Sequence, residues 1–519
     1  AAEWHLSKGT PEDAPAYLCA AGDCDGALSV DILGRELSPR MDMTYEEITV
    51  AVVKISSREA RLKYPIHFLK HAFNLLDVGR RDIFAEACAE FEETVETGGL
   101  SENERRRLLG ELTLLSSFGD YNDITKMASA MKRAHELTGG QPSLIRKNDT
   151  WTFGNASVLF MYHSEPGRLD EELSEMKEGC GYYFALTDGH GFGGDELMKA
   201  EARLCRGDLR GAESSARAAL RRAEGASQNS VAIGAYLPLA IAALLSGDSA
   251  GVSEMREGIF KHRGGGLLVQ RSDREESDLA GARLALMTGH PENVREWIRG
   301  WNIDAPATRH IQSAPYAQVL YGEYWLAVAN TGGDRAKSAR VWLDIEEEAV
   351  GVARGFRSVM SEIYCHILSA RARSLMGERG VASASLDSAL SLALPDRLMM
   401  PFAEHYSEIS RLLAENARLA RHDSCLKEIE ALAERLEDGR RAYARSPNPT
   451  VRLALSEQDC KIACLAAKGL KNAVIAGMLF LAEKTIRNRM SFIYDHLGTT
   501  RENIALVLDN AGMDWRSVT

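Results

Sequence analysis

Apolar residues in the first 440 positions recur at intervals of three and four, the spacing of one buried helical face. Strict alternation of apolar and polar residues, which marks a half-buried strand, is nearly absent there. Proline, which interrupts helices, is sparse. The pattern therefore predicts amphipathic helices over almost all of residues 1–440.

These helices are predicted to form pairs, because a helix that ends in Gly and a polar residue is repeatedly followed by an Ala-rich helix, as at 202–220 and 242–255. Glycine supplies the left-handed conformation that closes the first helix of each pair. Successive turn glycines lie 40 to 48 residues apart, which is typical of stacked helical hairpins. They are Gly79, Gly119, Gly167, Gly207, Gly247, Gly289, Gly333 and Gly377. We predict an all-α fold: a right-handed superhelical α-solenoid, tetratricopeptide-like but with about 40–44 residues per repeat.

A different pattern follows at 455–498, where three short helical segments are separated by tight breaks. The first segment has a predicted capping box at Ser456 and Asp459. Asn472, after the break at Gly469, is predicted to cap the second. The third is predicted to begin near Glu483 and to end at Gly498. The residues predicted to face the core are Ile462, Leu465, Ala466, Val474, Ile475, Met478, Ile486, Met490, Ile493 and Leu497.

The third helix has a polar and cationic outer face made of Lys484, Arg487, Asn488 and Ser491, with Arg489 alongside. Arg and Asn side chains can read guanine and adenine edges, and Lys can hold phosphates. Two helices joined by a short turn, the second with such a face, form a helix-turn-helix. The alternative is a small helical satellite whose basic residues are merely solvated.

This stretch resembles the LuxR-type DNA-binding domain of bacterial transcription regulators, and a fourth helix continues the resemblance. It implies that Arg487, Asn488 and Ser491 face bases and that Lys471, Lys484 and Thr485 lie near phosphates, with Arg489 in the same DNA-binding set. It also implies a dimer contact through the helix from Arg501 to about Asn510, with Arg501, Ile504, Ala505 and Leu508. The matching residues are Leu455, Asp459, Gly469, Leu470, Asn472, Ile475, Ala476, Leu479, Glu483, Lys484, Thr485, Ile486, Asn488, Ile493, Leu497, Gly498, Arg501 and Ala505.

Five positions depart from that family pattern: Ala473 and Val474 replace a common Lys-Glu pair, and three others differ as follows. Ala482 stands where a Ser or Thr N-cap is usual, which removes about 1 kcal/mol of helix-start stability. Arg489 replaces a His, and His496 replaces a Lys. These changes bear on affinity for DNA more than on the fold.

The repeat region is similar to the sensor solenoid of MalT-type regulators, mostly in its periodicity. Its start also resembles the segment that follows the winged helix in those proteins, at Ala2, Glu3, Trp4, Gly9, Ala20, Ala21, Gly22, Asp23 and Ala27. An ATP-binding module precedes the solenoid in that family. This chain has no G-x-x-x-x-G-K-[ST] motif, so we expect it to bind no ATP in that way. The chain opens on Ala rather than Met, and we expect residue 1 to be an internal boundary of a longer protein.

Charge divides the chain in the same way as the helical patterns. The whole chain carries a net charge of −12, but nine Lys and Arg stand against seven Asp and Glu after residue 450. The acidic bulk should stay away from DNA, and the tail has only weak positive character. We predict a solenoid over 1–440, a linker at 441–452 that contains two prolines, and a DNA-binding domain over 453–519.

Residues with catalytic or metal-binding chemistry form no recognisable pattern. The nine cysteines include no C-x-x-C pair and indicate reduced thiols of a cytoplasmic protein. We therefore predict no metal, no cofactor, no catalysis and no membrane span. The glycine-rich loop at 187–197 misses the spacing of a phosphate loop and is interpreted as an inter-repeat loop. Four aromatic residues are candidates for an effector groove or, alternatively, for inter-repeat core: Tyr316, Tyr321, Tyr324 and Trp325.

The sequence favours a bacterial transcription regulator that binds a pseudo-palindromic operator in double-stranded DNA as a homodimer. An unknown small molecule or protein would act on the solenoid. The alternative is a protein-interaction scaffold with weak or vestigial DNA binding. The observations that favour this alternative are the low net charge of the tail, Ala482 and His496. An enzyme is the third and least favoured reading.

Overall fold

The computed structural model describes residues 1–32, 37, 40–140, 144–145, 147, 151–261, 271–302, 311–330, 332–416, 418, 423–445, 455, 457–497, 499–510, 513 and 515–516. Within these residues the chain is all-α, as predicted, and an isolated antiparallel bridge joins Arg40 and Met43. Four 3₁₀ turns lie among the helices, at Pro11–Asp13, Pro291–Asn293, Ile311–Ser313 and Leu394–Asp396. None of the described helices is long and apolar enough to cross a bilayer.

The helices of the first half of the chain lie between residues 2 and 261. They are α1 (Ala2–Lys8), α2 (Ala14–Ala20), α3 (Cys24–Ser29), α4 (Tyr45–Ile55), α5 (Arg58–Lys63), α6 (Pro65–Asp77), α7 (Arg81–Thr97), α8 (Glu102–Ser117), α9 (Ile124–Thr138), α10 (Val158–Tyr162), α11 (Leu169–Leu186), α12 (Gly194–Cys205), α13 (Leu209–Ala226), α14 (Asn229–Leu245) and α15 (Ser249–Lys261).

The second half completes the large helical region and adds a small domain. The large region continues with α16 (Arg271–Met287), α17 (Glu296–Arg299), α18 (Ala314–Asn330), α19 (Arg335–Leu343), α20 (Glu346–Gly355), α21 (Val359–Leu375), α22 (Arg379–Ala393), α23 (Met400–Glu404), α24 (Tyr406–Glu415) and α25 (Asp423–Ala444). The small domain contains α26 (Glu457–Ala467), α27 (Asn472–Met478), α28 (Glu483–Leu497) and α29 (Ile504–Asn510).

The turn between α12 and α13 shows why Gly followed by Asp recurs along the chain. Gly207 has a left-handed φ of 81°, and the N–H of Asp208 donates back to the carbonyl of Arg203 at 2.9 Å, which closes α12. The Asp208 carboxylate then accepts from the N–H of Gly211 at 3.0 Å, which caps α13. One dipeptide therefore ends one helix and begins the next.

The predicted turn glycines fall between paired helices at most positions. Gly79, Gly247, Gly289 and Gly377 also have left-handed φ angles. Gly119 does not, and at the turn between α18 and α19 Gly332 takes the left-handed conformation in place of Gly333. Many neighbouring helices pack against each other in pairs, as α8 does on α9 and α21 on α22. The handedness of a superhelix stays a prediction.

The array of helices also folds back on itself. The N–H of Val359 donates to the carbonyl of His163 at 3.0 Å, and that of Met399 donates to Cys205 at 2.8 Å. The buried His163 ring lies between two carboxylates, 2.6 Å from Glu172 and 3.4 Å from Asp396. These contacts bring α10 and α12 against α21 and α23, so residues two hundred positions apart share one core.

The glycine-rich stretch at 187–197 joins α11 to α12 and begins α12 itself. A Cβ atom on Gly191 or Gly194 would lie only 2.4 or 2.3 Å from the ring of Trp151. Trp151 is buried against this stretch, so the glycines make room for an indole ring.

The small domain has its own hydrophobic core, separate from that of the large region. Helix α25 continues to Ala444, so the large region ends later than the predicted boundary at 440. The rest of the predicted linker, at 446–452, lies outside the described residues, as do Ser456, Gly498 and the side chain of His496.

Candidate nucleic-acid interface

The small domain is built around the turn between α27 and α28. Helix α26 ends at Ala467 and is closed by Gly469, whose φ is 80°, and the N–H of Leu470 donates back to the carbonyl of Leu465 at 3.3 Å. After α27, the N–H of Leu481 donates to the carbonyl of Ala476 at 2.9 Å. These bonds fix the short corner from which α28 departs, so the segment is a helix-turn-helix as predicted.

The apolar side of α28 forms the core of the domain. Ile486, Met490 and Ile493 are buried against Ile462 of α26 and Ile475 of α27. Leu497 packs against the edge of the same core. The three-to-four-residue periodicity of α28 therefore predicted its buried face correctly.

Two predictions about α27 are wrong. Val474 and Met478 were expected to point inward, but they are 48% and 44% exposed, and only Ile475 and Ala476 are buried. The helix also begins one residue earlier than predicted, with Lys471 at the N-cap position and Asn472 as its first residue. A helix of two turns offers too few positions for periodicity to fix its inner face.

The outer side of α28 presents Lys484, Arg487, Asn488 and Ser491 at the surface. Arg487 makes an exposed ion pair with Glu483 one turn earlier, at 3.3 Å. Lys471 lies exposed at the start of α27, and Thr485 is half-buried. A row of exposed cationic, amide and hydroxyl groups on one short helix can bind phosphates and base edges together.

Arg489 lies on a different side of the helix from this row. Its Nε donates to the Asp459 carboxylate at 2.8 Å, and its guanidinium also bonds the Gln458 side chain. The Asp459 side chain is only 6% exposed, so the pair ties α28 to the first turn of α26 within the domain. In this conformation Arg489 positions α28 rather than extending toward solvent.

Helix α29 closes the small domain from the other side. Ile504 and Leu508 are fully buried in the core of the domain, whereas Leu506 is largely exposed. Arg501 donates to the side chain of Asn472 at 2.9 Å and also bonds the carbonyl of Leu470. The outward face of α29 is therefore centred on Leu506, which the sequence prediction did not include.

A cleft of about 570 Å³ separates one flank of α28 from the large region. Thr485, Asn488, Arg489 and Phe492 of α28 line one wall. Helix α15 forms the opposite wall. Three residues of the predicted DNA-binding set, Thr485, Asn488 and Arg489, therefore lie beside the large region, which the sequence did not indicate.

The large region contains a buried charged cluster that the sequence prediction missed. Arg283 donates to the carboxylate of Glu323 at 2.6 Å and to the Tyr364 hydroxyl at 2.5 Å, and it also pairs with Glu404. Burial opposes ionisation of Glu323, but Arg283 and His405 together hold the pKa of that carboxyl at about 2. Within the described chain, Glu323, Glu404 and His405 are a group close enough to share a metal ion. Because the Arg283 cation already occupies both carboxylates, we interpret the cluster as a structural tie.

The aromatic cluster suggested as an effector groove is divided between core and surface. Tyr316 is buried, with its ring centroid 4.7 Å from that of Phe160. Tyr321, Tyr324 and Trp325 are half-buried and contact one another. A ligand-binding role for these rings stays a prediction.

Comparison with known proteins supports the geometry of the small domain. Residues 453–507 match the model of the GerE family, described as bacterial regulatory proteins of the luxR family. No curated protein matches the chain. The match spans α26, α27, α28 and the start of α29, so the C-terminal segment is a LuxR-type DNA-binding domain.

Proposed function

We propose that the chain is a bacterial transcription regulator whose small domain reads DNA with α28 while the large helical region receives a signal. The observation that carries the proposal is the exposed row of Lys484, Arg487, Asn488 and Ser491 on a helix whose opposite side is core. The luxR-family match over the same helices supports a regulator rather than an enzyme.

The proposed contacts follow from where each side chain stands. Arg487, Asn488 and Ser491 would face base edges in the major groove, because they lie on the exposed side of an inserted helix. Lys484 and Lys471 would lie near phosphates, with Thr485 beside them. Arg489 would contribute indirectly, by holding α28 in place through Asp459.

We propose that two copies bind together through α29, on half-sites about one helical turn apart. The exposed surface available for such a contact is formed by Leu506, with Ala505 and Arg501 at its border. Ile504 and Leu508 would support it from inside the domain, since both are fully buried.

The large region is proposed to bind an effector or partner, in the manner of a tetratricopeptide-like sensor. The pairing of successive helices through Gly–Asp turns supports a repeat architecture.

A protein-interaction scaffold remains the second candidate function because the DNA-binding surface is weakly charged. Nine cations against seven carboxylates after residue 450 give little non-specific attraction to a polyanion. A scaffold would keep the small fold without using its outer face.

Salt titration of the full chain on random duplex DNA separates the two functions. If Lys471 and Lys484 of two subunits each neutralise a phosphate, the log–log slope of the binding constant against salt should be about −4. Lys471→Ala should bring that slope to about −2, because each subunit loses one cation. Lys177→Ala, at an exposed position of α11, is the matched control and should leave the slope unchanged. A wild-type slope near zero would favour the scaffold.

A further inference from the structure

The recognition helix α28 is packed against helix α15 of the large region. The rings of Phe492 on α28 and Phe260 on α15 lie with their centroids 5.7 Å apart. The guanidinium of Arg295, from the large region, lies 5.8 Å from the centroid of the same Phe492 ring. Aromatic pairs and cation–π contacts of this kind hold two surfaces together specifically.

A second contact joins the same two units at the start of α26. The Arg256 cation of α15 is close enough to the Asp459 carboxylate of the small domain for their charges to interact. Asp459 is also the partner of Arg489 on α28. The ion pair that fixes α28 inside its own domain is therefore also a point at which the large region touches that domain.

The flank of α28 in contact with α15 adjoins the flank proposed to meet DNA. Thr485, Asn488 and Phe492 follow one another at spacings of three and four, so they form one stripe along the helix. All three line the cleft opposite α15. Asn488 belongs both to this stripe and to the row with Lys484 and Ser491, so a single side chain serves two surfaces.

A duplex cannot approach α28 while α15 is in this place. The major groove of B-DNA is about 12 Å wide, and a helix with its side chains has a diameter of about 10–12 Å. The groove walls must therefore run along both flanks of an inserted helix. Helix α15 stands beside one of those flanks, where a phosphate strand would have to pass.

We propose that the contact between α15 and α28 is an autoinhibitory one, in which the large region holds the recognition helix away from DNA. This inference rests on the proposed DNA-binding function. Glu254 and Glu257 of α15 line the cleft across from Thr485 and Asn488, so carboxylates lie where the phosphates of a duplex would otherwise be. DNA and α15 compete for one side of one helix, and a signal acts by separating them.

The proposal predicts tighter DNA binding when the contact is weakened. The apparent dissociation constant for DNA rises as the fraction of protein in the open, binding-competent state falls. A substitution that favours the open state therefore lowers the apparent dissociation constant. For Phe260→Ala, which removes the ring facing Phe492, we expect roughly 3- to 10-fold tighter binding by the full chain. Anisotropy of a labelled duplex measures this change.

Phe260 also packs closely against Gly281 of α16, so Phe260→Ala could disturb the fold of the large region. A second variant therefore tests the contact without removing a packed ring. Glu257→Lys changes an exposed side chain of α15 and places a like charge near Arg489. Glu348→Lys on α20 is its matched control, since it alters net charge equally at an exposed site far from the cleft in sequence. Binding should tighten for Glu257→Lys beyond any gain that Glu348→Lys shows. Equal affinities for wild type, Phe260→Ala and Glu257→Lys, after correction by that control, would overturn the proposal.

Hydrogen exchange without DNA tests the contact independently of the function. Peptides from 483–497 should exchange faster in Phe260→Ala than in wild type, while peptides from 359–375, in the large region away from the contact, should not change. With DNA present, peptides from 249–261 in wild type should exchange faster, because α15 is released. If no variant binds DNA but exchange at 483–497 rises, the contact stands and the proposed function fails. If the protein binds DNA, but neither DNA nor the Phe260→Ala substitution changes the exchange rates at 249–261 and 483–497, the autoinhibitory contact is refuted.

Discussion

Replacement of Arg489 should damage the small domain before it affects any contact with DNA. The side chain joins α28 to the start of α26 through a 2.8 Å ion pair with Asp459 and a further bond to Gln458. Arg489→Ala removes both and leaves the Asp459 carboxylate, which is 6% exposed, without its main donor. Arg256 of α15 remains as a second charge near that carboxylate.

The size of the effect follows from the burial of the two partners. Removal of one partner from a fully buried pair costs about 3–5 kcal/mol. The Arg489 side chain is 28% exposed, so water reaches the pair and screens it. Arg256 offsets a further part of the loss. We therefore expect Arg489→Ala to destabilise the small domain by about 2 kcal/mol, which raises its unfolded population roughly thirtyfold.

Hydrogen exchange of the full chain can isolate this local effect. Peptides from 457–467 and 483–497 should lose protection, while peptides from 229–245 in the large region serve as an internal reference. Asp459→Asn added to Arg489→Ala removes the buried charge and should recover more than half of the protection. Unchanged protection in Arg489→Ala together with weaker DNA binding would refute the structural role and make Arg489 a direct DNA contact.

Two further predictions concern stability. Burial raises the pKa of the Glu201 carboxyl to about 8, so this carboxyl is neutral at pH 7 in the folded state, whereas in the unfolded chain it ionises above about pH 4.5. The free energy of unfolding should therefore fall as the pH rises from about 4.5 to about 8, and the loss at pH 7 should be about 3 kcal/mol. The amide oxygen of Glu201→Gln can still accept from the N–H of Leu159, so this variant should lose that pH dependence when unfolding in urea is measured at several pH values. If the stability of the variant changed with pH as that of wild type does, Glu201 would not be the source of the dependence. Phe480 has a φ of 53° and is 96% exposed, so Phe480→Gly should stabilise the small domain by about 1 kcal/mol. Slower exchange at 483–497 would agree with this, and faster exchange would mean that the ring makes a stabilising contact.

Local features of the fold could be predicted from the sequence because their causes are local. The Gly207–Asp208 turn closes one helix and caps the next with atoms from neighbouring residues only. The buried face of α28 follows from a pattern that repeats over four turns. Residue chemistry on the outer face, together with the family resemblance, predicted a DNA-binding domain that the luxR-family match confirms.

Features that depend on distant residues could not be predicted in the same way. Nothing near Arg489 in the sequence indicates a partner thirty positions earlier, so residue chemistry alone places Arg489 among the DNA contacts. Arg283 reaches carboxylates 40 and 121 positions away because the helical array folds back on itself. The contact between Phe260 and Phe492 likewise depends on how two separate cores are placed against each other.

The central claim is that the exposed row of α28 reads DNA sequence, and simultaneous replacement of Arg487 and Asn488 by Ala tests it most directly. The fold should tolerate the change, because Arg487 makes only an exposed ion pair with Glu483, of a kind worth about 0.3–0.5 kcal/mol. Arg411→Ala is the matched control, since Arg411 has the same spacing to Glu415 on α24.

The full chain should be tested by anisotropy on the tightest-binding duplex selected from a random pool, at moderate salt. We predict that Arg487→Ala with Asn488→Ala weakens binding to this duplex by at least about 2 kcal/mol, roughly thirtyfold, while binding to unselected DNA changes far less. Arg411→Ala should bind as wild type does. Equal affinity of the double variant and wild type for the selected duplex would contradict the account.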